Sequence, residues 1–222
     1  MKKTAVSLSK VYIDTTILKF SATQLPRLRP RKSLINWGNR THEVVVHDFV
    51  YINPNDFIDN DDLKAETMLL PTLAKAGKHG QVKYVIQIET LLESWGLPKM
   101  DSETGKFYGA PLECIESPIK YSRIIFGFSF GAKELQFNFL SSIKNKRFLE
   151  LQKMTGAYQG PGKVNRNQLL DAFHLWCAEY NKCDYFLTLD FKLVNILRKQ
   201  KHYLSLEVLK PSELIRNIGI RT

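Results

Sequence analysis

The stretch from Gln168 to Leu193 constrains the fold of this chain more than any other. It reads as a helix, a short turn and a strand, with one acid inside the helix and another where the strand ends. The helix is predicted from about Asn167 to Tyr180. Leu169, Leu170, Ala172, Phe173, Leu175, Trp176, Cys177 and Ala178 leave it almost no polar face, which predicts burial on most sides. Asp171 stands in the middle of that apolar wall, where a carboxylate rarely goes without a partner. Asn181 and Lys182 break the pattern. Tyr185, Phe186 and Leu187 are strand formers, and Thr188-Leu189-Asp190 closes the run. Asp190 is therefore expected at the carboxyl end of a buried strand, where open α/β sheets carry their chemistry.

Two further segments repeat the theme. Lys10-Val11-Tyr12-Ile13 is a short strand ended by Asp14-Thr15-Thr16. An Asp after a strand is by itself most often a turn residue or a helix cap. Asp14 gains meaning from Asp190, because two parallel strands that both end in Asp bring their carboxylates to one edge of a sheet. Val82 to Ile86 is a third strand, followed by a helix that opens Glu89-Thr90-Leu91-Leu92-Glu93. Glu89 and Glu93 are four apart and share a face, so either could point toward such an edge. Glu89 also suits the role of an N-terminal helix acid favoured by the macrodipole.

These motifs resemble the PIN-domain family of metal-dependent nucleases. Asp171-Ala172-Phe173-His174 is similar to the family's Asp-hydrophobic pair in a helix. Asp184-Tyr185-Phe186-Leu187 and Thr188-Leu189-Asp190 are similar to its strand and Thr-x-Asp, with Leu189 where the family often has Asn. Asp14 and Thr16 match the acid and hydroxyl that close its first strand. The family's second acid lies about one and a half turns into its helix, which favours Glu93 over Glu89. A strand followed by Pro211-Ser212-Glu213-Leu214 resembles the family's end. The resemblance covers residues 10–20, 80–95 and 165–217.

It implies an α/β fold, a PIN-like α/β/α sandwich with a mostly parallel central sheet and a large insertion. The whole chain, 1–222, would be a single domain with elaborations at about 21–60 and 96–163. It also implies that Asp14, Glu93, Asp171 and Asp190 are the catalytic acids and hold Mg²⁺ or Mn²⁺, as one ion or two. Thr16 and Thr188 would orient carboxylates or waters around them. The implied function is a metal-dependent endoribonuclease; the alternative is a catalytically silent PIN-like module that binds RNA or a protein. Toxins of toxin–antitoxin pairs belong to this family, so a protein inhibitor or antitoxin is an admissible partner. A homodimer is also left open.

Charge supports a polyanionic partner such as RNA: the 222 residues carry a formal net charge of +10 and a pI near 9.4. Arg27, Arg29, Arg31, Lys32 and Arg40 gather between residues 21 and 42, where Pro26 and Pro30 oppose a continuous helix. That segment reads as a basic loop, either a solvated connection or a phosphate-contacting arm. Glu43 to Ile52 is strand-like. The acidic run Asn53 to Asp62 lacks the glycine and terminal Glu of an EF-hand. Asp61 reads as the N-cap of a helix from Asp62 to Ala76 that Gly77 closes.

Within 96–163, Gly96, Pro98, Gly105, Gly109 and Pro111 predict loops, Tyr121 to Phe130 a strand or hairpin arm, and Ala132 to Lys153 a helix bearing Lys144, Lys146 and Arg147. A charged insertion of this length reads as a binding element or an interface. Gly162-Lys163-Val164 fails as a phosphate loop, because Val164 replaces the magnesium-binding Ser or Thr. After Asp190 a helix is predicted to Lys201 and a strand from Tyr203 to Leu209. The histidines form no HExxH spacing, and His174 reads as a buried structural residue or a brace for Asp171. Cys114, Cys177 and Cys183 show no metal-binding or disulfide spacing and fit a reducing compartment. The start Met1-Lys2-Lys3-Thr4-Ala5 lacks the apolar run of a signal peptide, and no stretch is long enough to span a membrane. A cytoplasmic protein is expected.

Overall fold

Val11, Tyr12 and Ile13 are all fully buried, although they alternate between the two faces of β1 (Lys10–Ile13). A strand covered on both faces belongs in the middle of a sheet with helices above and below. The computed structural model, which describes residues 8–94, 106–122, 132–158 and 165–220, has that arrangement. After β1 come α1 (Thr15–Phe20), β2 (Leu25–Trp37), β3 (Arg40–Ile52), α2 (Asp61–Thr67), α3 (Leu70–Lys78), β4 (Lys83–Ile86) and α4 (Ile88–Ser94). Then follow β5 (Leu112–Cys114), α5 (Ala132–Ser142), α6 (Lys146–Thr155), α7 (Arg166–Tyr180), β6 (Tyr185–Leu187), α8 (Phe191–Arg198), β7 (Glu207–Leu209) and α9 (Pro211–Ile218).

Five strands form one parallel sheet in the order β5-β4-β1-β6-β7. The chain builds outward from β1 through β4 to β5, then crosses to the other side of β1 for β6 and β7. The strand order therefore reverses between β1 and β6, which opens a crevice at their carboxyl ends. One apolar layer joins Tyr12, Val85 and Phe186 to Phe148, Phe173 and Trp176 of α6 and α7. The other joins Val11, Ile13 and Leu187 to Ile17, Leu73 and Leu214 of α1, α3 and α9. This is the α/β/α sandwich on a parallel sheet that the sequence implies. No helix among the described residues is long and apolar enough to cross a membrane.

Several elements differ from the sequence reading. The basic segment is a strand, not a loop: β2 pairs with β3 over its whole length in an antiparallel two-stranded ribbon. Pro26 and Pro30 are tolerated because every strand of such a ribbon has one open edge. Residues an even number apart send their backbone groups to the same edge, so both missing N–H groups fall on the outer one. The single helix expected from Asp62 is two helices, capped by Asn60 rather than Asp61, with Pro71 in the first turn of the second. Gly77 lies inside α3 and does not end it. A Cβ there would stand 2.6 Å from the Tyr84 ring, which lies across the helix and donates from its hydroxyl to the Leu73 carbonyl at 2.8 Å.

The helix expected from Ala132 to Lys153 also breaks in two, where the Asn145 side chain caps α6. That part of the insertion is core and not appendage: Phe148 and Leu151 are fully buried against α7. Arg147 faces inward as a clamp, donating to Glu179 at 2.7 and 2.8 Å and to the Tyr203 carbonyl at 2.6 Å. The helix after Asp190 and the strand that follows it are shorter than expected, with a 3₁₀ turn at Lys201–Tyr203 between them. The start Met1–Ala5, Gly96, Pro98 and Gly105, most of Tyr121–Phe130, and Gly162-Lys163-Val164 lie outside the described residues.

Candidate functional site

Asp14 ends β1 and is 5 % exposed. Its Oδ1 accepts from the Thr15 N–H at 2.7 Å, capping α1. Its Oδ2 accepts from the Thr16 and Thr188 hydroxyls, each at 2.6 Å. Thr188 follows β6, so these bonds tie the carboxyl ends of the two central strands together. The same hydroxyls receive the next backbone donors: Leu189 N–H to Thr16 and Asp190 N–H to Thr188, both 3.0 Å. Burial raises the Asp14 pKa; the two threonine hydrogen bonds oppose that rise without cancelling it.

Glu93 comes from α4, just beyond β4. Thr15 donates its hydroxyl to Glu93 Oε2, and His174 Nε2 lies 3.3 Å from the same oxygen. His174 is 1 % exposed and shares its Nδ1 with the Tyr12 hydroxyl at 2.8 Å; Tyr12 in turn bonds Thr90 at 3.0 Å. Burial works to raise the Glu93 pKa, but the His174 hydrogen bond and charge, with Thr15 and Arg166, hold it below the ordinary value. Burial disfavours charge on His174, yet Glu93 first, then Asp14 and Asp171, raise its pKa.

Glu89 takes another course. It is fully buried and accepts from Tyr121 at 2.9 Å and from Gln136 of α5 at 2.7 Å. Glu89 does stand in the first turn of α4, the place its role as an N-terminal helix acid requires, and from there it also anchors the insertion, while Glu93 is the one that stands with the other acids.

Asp171 projects from α7 into a cleft of about 210 Å³ that Asp190, Asn165, Gln168 and Lys192 also line. Asp190 caps α8 by accepting from the Leu193 N–H at 2.9 Å. No described residue is seen donating a hydrogen bond to Asp171. Its pKa is raised from 3.8 to about 8, by burial first and then by the charges of Asp14, Asp190 and Glu93. Asp14, Asp190 and Glu93 therefore all stand close enough to Asp171, at the carboxyl edge of the sheet, for their charges to act on it.

The fit to a divalent cation is chemical and incomplete in shape. Carboxylate oxygens are hard donors, and Gln168 Oε1 is a buried acceptor without a partner among the described residues, in the same cleft as Asp171 and Asp190. Yet no three His, Cys, Asp or Glu side chains among the described residues form a group that could enclose an ion as they stand. Asp14 and Glu93 are turned toward their hydroxyl partners.

The expected basic residues lie on the β2–β3 ribbon and not at the acid edge. Alternation along β2 puts Arg27, Arg29 and Arg31 on one face and Lys32 on the other, where it pairs with Glu43 at 2.7 Å. The sequence reading did not place Tyr12, Thr15 or Arg166 near the site. Tyr12 carried one usable signal: it lies two residues before Asp14 and so shares its face of β1. The chain matches no known family model and no curated protein.

Proposed function

We propose that this protein is a PIN-like, metal-dependent ribonuclease that hydrolyses RNA phosphodiester bonds at the four-acid edge. The observation that carries the reading is Asp171: an acid in an apolar helix, lifted to about 8 by burial and by three other carboxylates. Such an arrangement is costly unless a cation or a reacting group uses it. Mg²⁺ or Mn²⁺ bound there would supply an activated water and a sink for charge on the phosphate. Asp171 and Asp190, facing the cleft, would hold the ion, with Asp14 and Glu93 completing the set. The Thr16 and Thr188 hydroxyls fix Asp14, while His174 and Thr15 fix Glu93, so neither acid depends on solvent for its orientation. The net charge of +10 draws a polyanion toward the protein. Three unbridged cysteines fit a reducing, cytoplasmic setting.

Incubation with mixed-sequence RNA tests the proposal. Cleavage with Mn²⁺ or Mg²⁺, abolished by EDTA and by Asp171→Asn, supports it. RNA binding without metal-dependent cleavage would leave a silent binding module as the correct description.

A further inference from the structure

The β2–β3 ribbon is exposed along almost its whole length, and its two faces differ. Pairing and alternation put Arg27, Arg29, Arg31, Trp37 and Arg40 on one face, with Asp48 as the only acid there. The other face carries Lys32 and Glu43 as a neutral pair. Of the arginines, Arg31 bonds Asp48 at 2.7 Å; no acid among the described residues pairs with Arg27, Arg29 or Arg40. Trp37 stands at the tip beside the turn and is 79 % exposed.

We infer that this face binds single-stranded nucleic acid, with the arginines on successive phosphates and Trp37 stacked on a base. Same-face residues of a strand repeat every ~6.7 Å, close to the step between neighbouring phosphates of an extended strand. Val44, Val46 and Val50 are half-buried on this face; Val46 and Val50 lie opposite Arg31 and Arg27, which can cover them with their stems and hold their heads outward. An exposed indole next to such a comb supplies the sequence-tolerant stacking that single strands offer and duplexes do not, because duplex bases are already stacked. The arm also has a short route to the acids. Asn55, just past β3, donates to the Phe20 carbonyl at 2.9 Å, and Phe20 ends the helix that Asp14 caps. That this strand is the substrate of the acid edge rests on the ribonuclease reading; binding by the arm does not.

The test is titration of the full-length protein with oligouridylate in EDTA, followed by tryptophan fluorescence and anisotropy. Binding should quench the emission. Trp37→Phe should abolish the quench and keep most of the affinity, whereas Trp37→Ala should weaken binding roughly 5-fold or more. Arg27→Gln, Arg29→Gln and Arg31→Gln together keep part of each stem over the valines, and circular dichroism checks that the ribbon persists. This variant should lower the salt slope by about 0.7 per lost phosphate contact. Unchanged affinity in Trp37→Ala together with an unchanged slope in the triple Gln variant, tighter binding to an A-form duplex than to the single strand, or a Trp37-dependent protein dimer in place of the quench would each overturn the inference. Cleavage with Mn²⁺ is scored separately. Wild-type cleavage with inert arm variants removes the arm and leaves the nuclease; quenching without cleavage does the reverse.

Discussion

Replacing Asp171 by Asn should stabilise the metal-free protein, and the gain should grow with pH. The change keeps the side chain's shape and removes a carboxyl whose folded-state pKa is about 8 against an ordinary 3.8. A folded pKa raised above the unfolded one means that the native state binds the proton more tightly. Stability is therefore full below about pH 4 and falls as pH rises toward 8. Each pH unit in that window costs about 1.4 kcal/mol, so at pH 7 wild type would bear on the order of 4 kcal/mol that the Asn variant escapes. Water reaching the partly buried carboxyl screens some of this, leaving an expected gain of about 2–4 kcal/mol. The assay is urea denaturation of both proteins in EDTA at pH 4.5 and pH 7.5. The curves should nearly coincide at the lower pH and separate at the higher one, with the variant more stable. Mn²⁺ should then raise the wild-type midpoint and the variant's much less. An Asn variant that is less stable at pH 7.5 would refute the reasoning, because it would mean that Asp171 is ionised and satisfied by a partner.

The two glutamates of α4 should part company. Glu93→Gln should abolish most cleavage while folding normally; Glu89→Gln should cost about 1–3 kcal/mol of stability through its buried bonds to Tyr121 and Gln136, with cleavage by the folded fraction retained. Thermal melts beside activity per folded molecule separate these outcomes. Gly77→Ala should destabilise by about 1–3 kcal/mol, because its methyl would stand 2.6 Å from the Tyr84 ring; a neutral denaturation midpoint would show that the ring yields freely. Arg147→Ala should lose about 2 kcal/mol by stranding Glu179, which is only 9 % exposed, and should leave RNA affinity unchanged, as an anisotropy titration would show.

The sheet and its acids were legible because their signals are local. β1, β4 and β6 are short apolar runs, and an acid after a buried strand falls at the same edge whenever the strands are parallel. The apolar wall around Asp171 announced α7 in the same way. The arm was not legible, because Pro26 and Pro30 oppose regular structure on average and are harmless only on the outer edge of a two-stranded ribbon. The break before Pro71 and the cap at Asn145 were hidden by apolar spacing that continues across both. The partners of His174 were out of reach for another reason. Spacing along α7 put it one turn from Asp171, but Tyr12 and Glu93 come from a strand and a helix that meet it only after the sheet has formed. The buried partners of Glu89 were hidden likewise, since they belong to the insertion.

A crystal soaked in Mn²⁺ tests the central claim most directly. Anomalous density should show manganese bound at the carboxyl edge between β1 and β6, with Asp171 and Asp190 among its ligands and Asp14 or Glu93 turned toward it. Saturating Mn²⁺ that leaves no peak at these four acids would contradict the account.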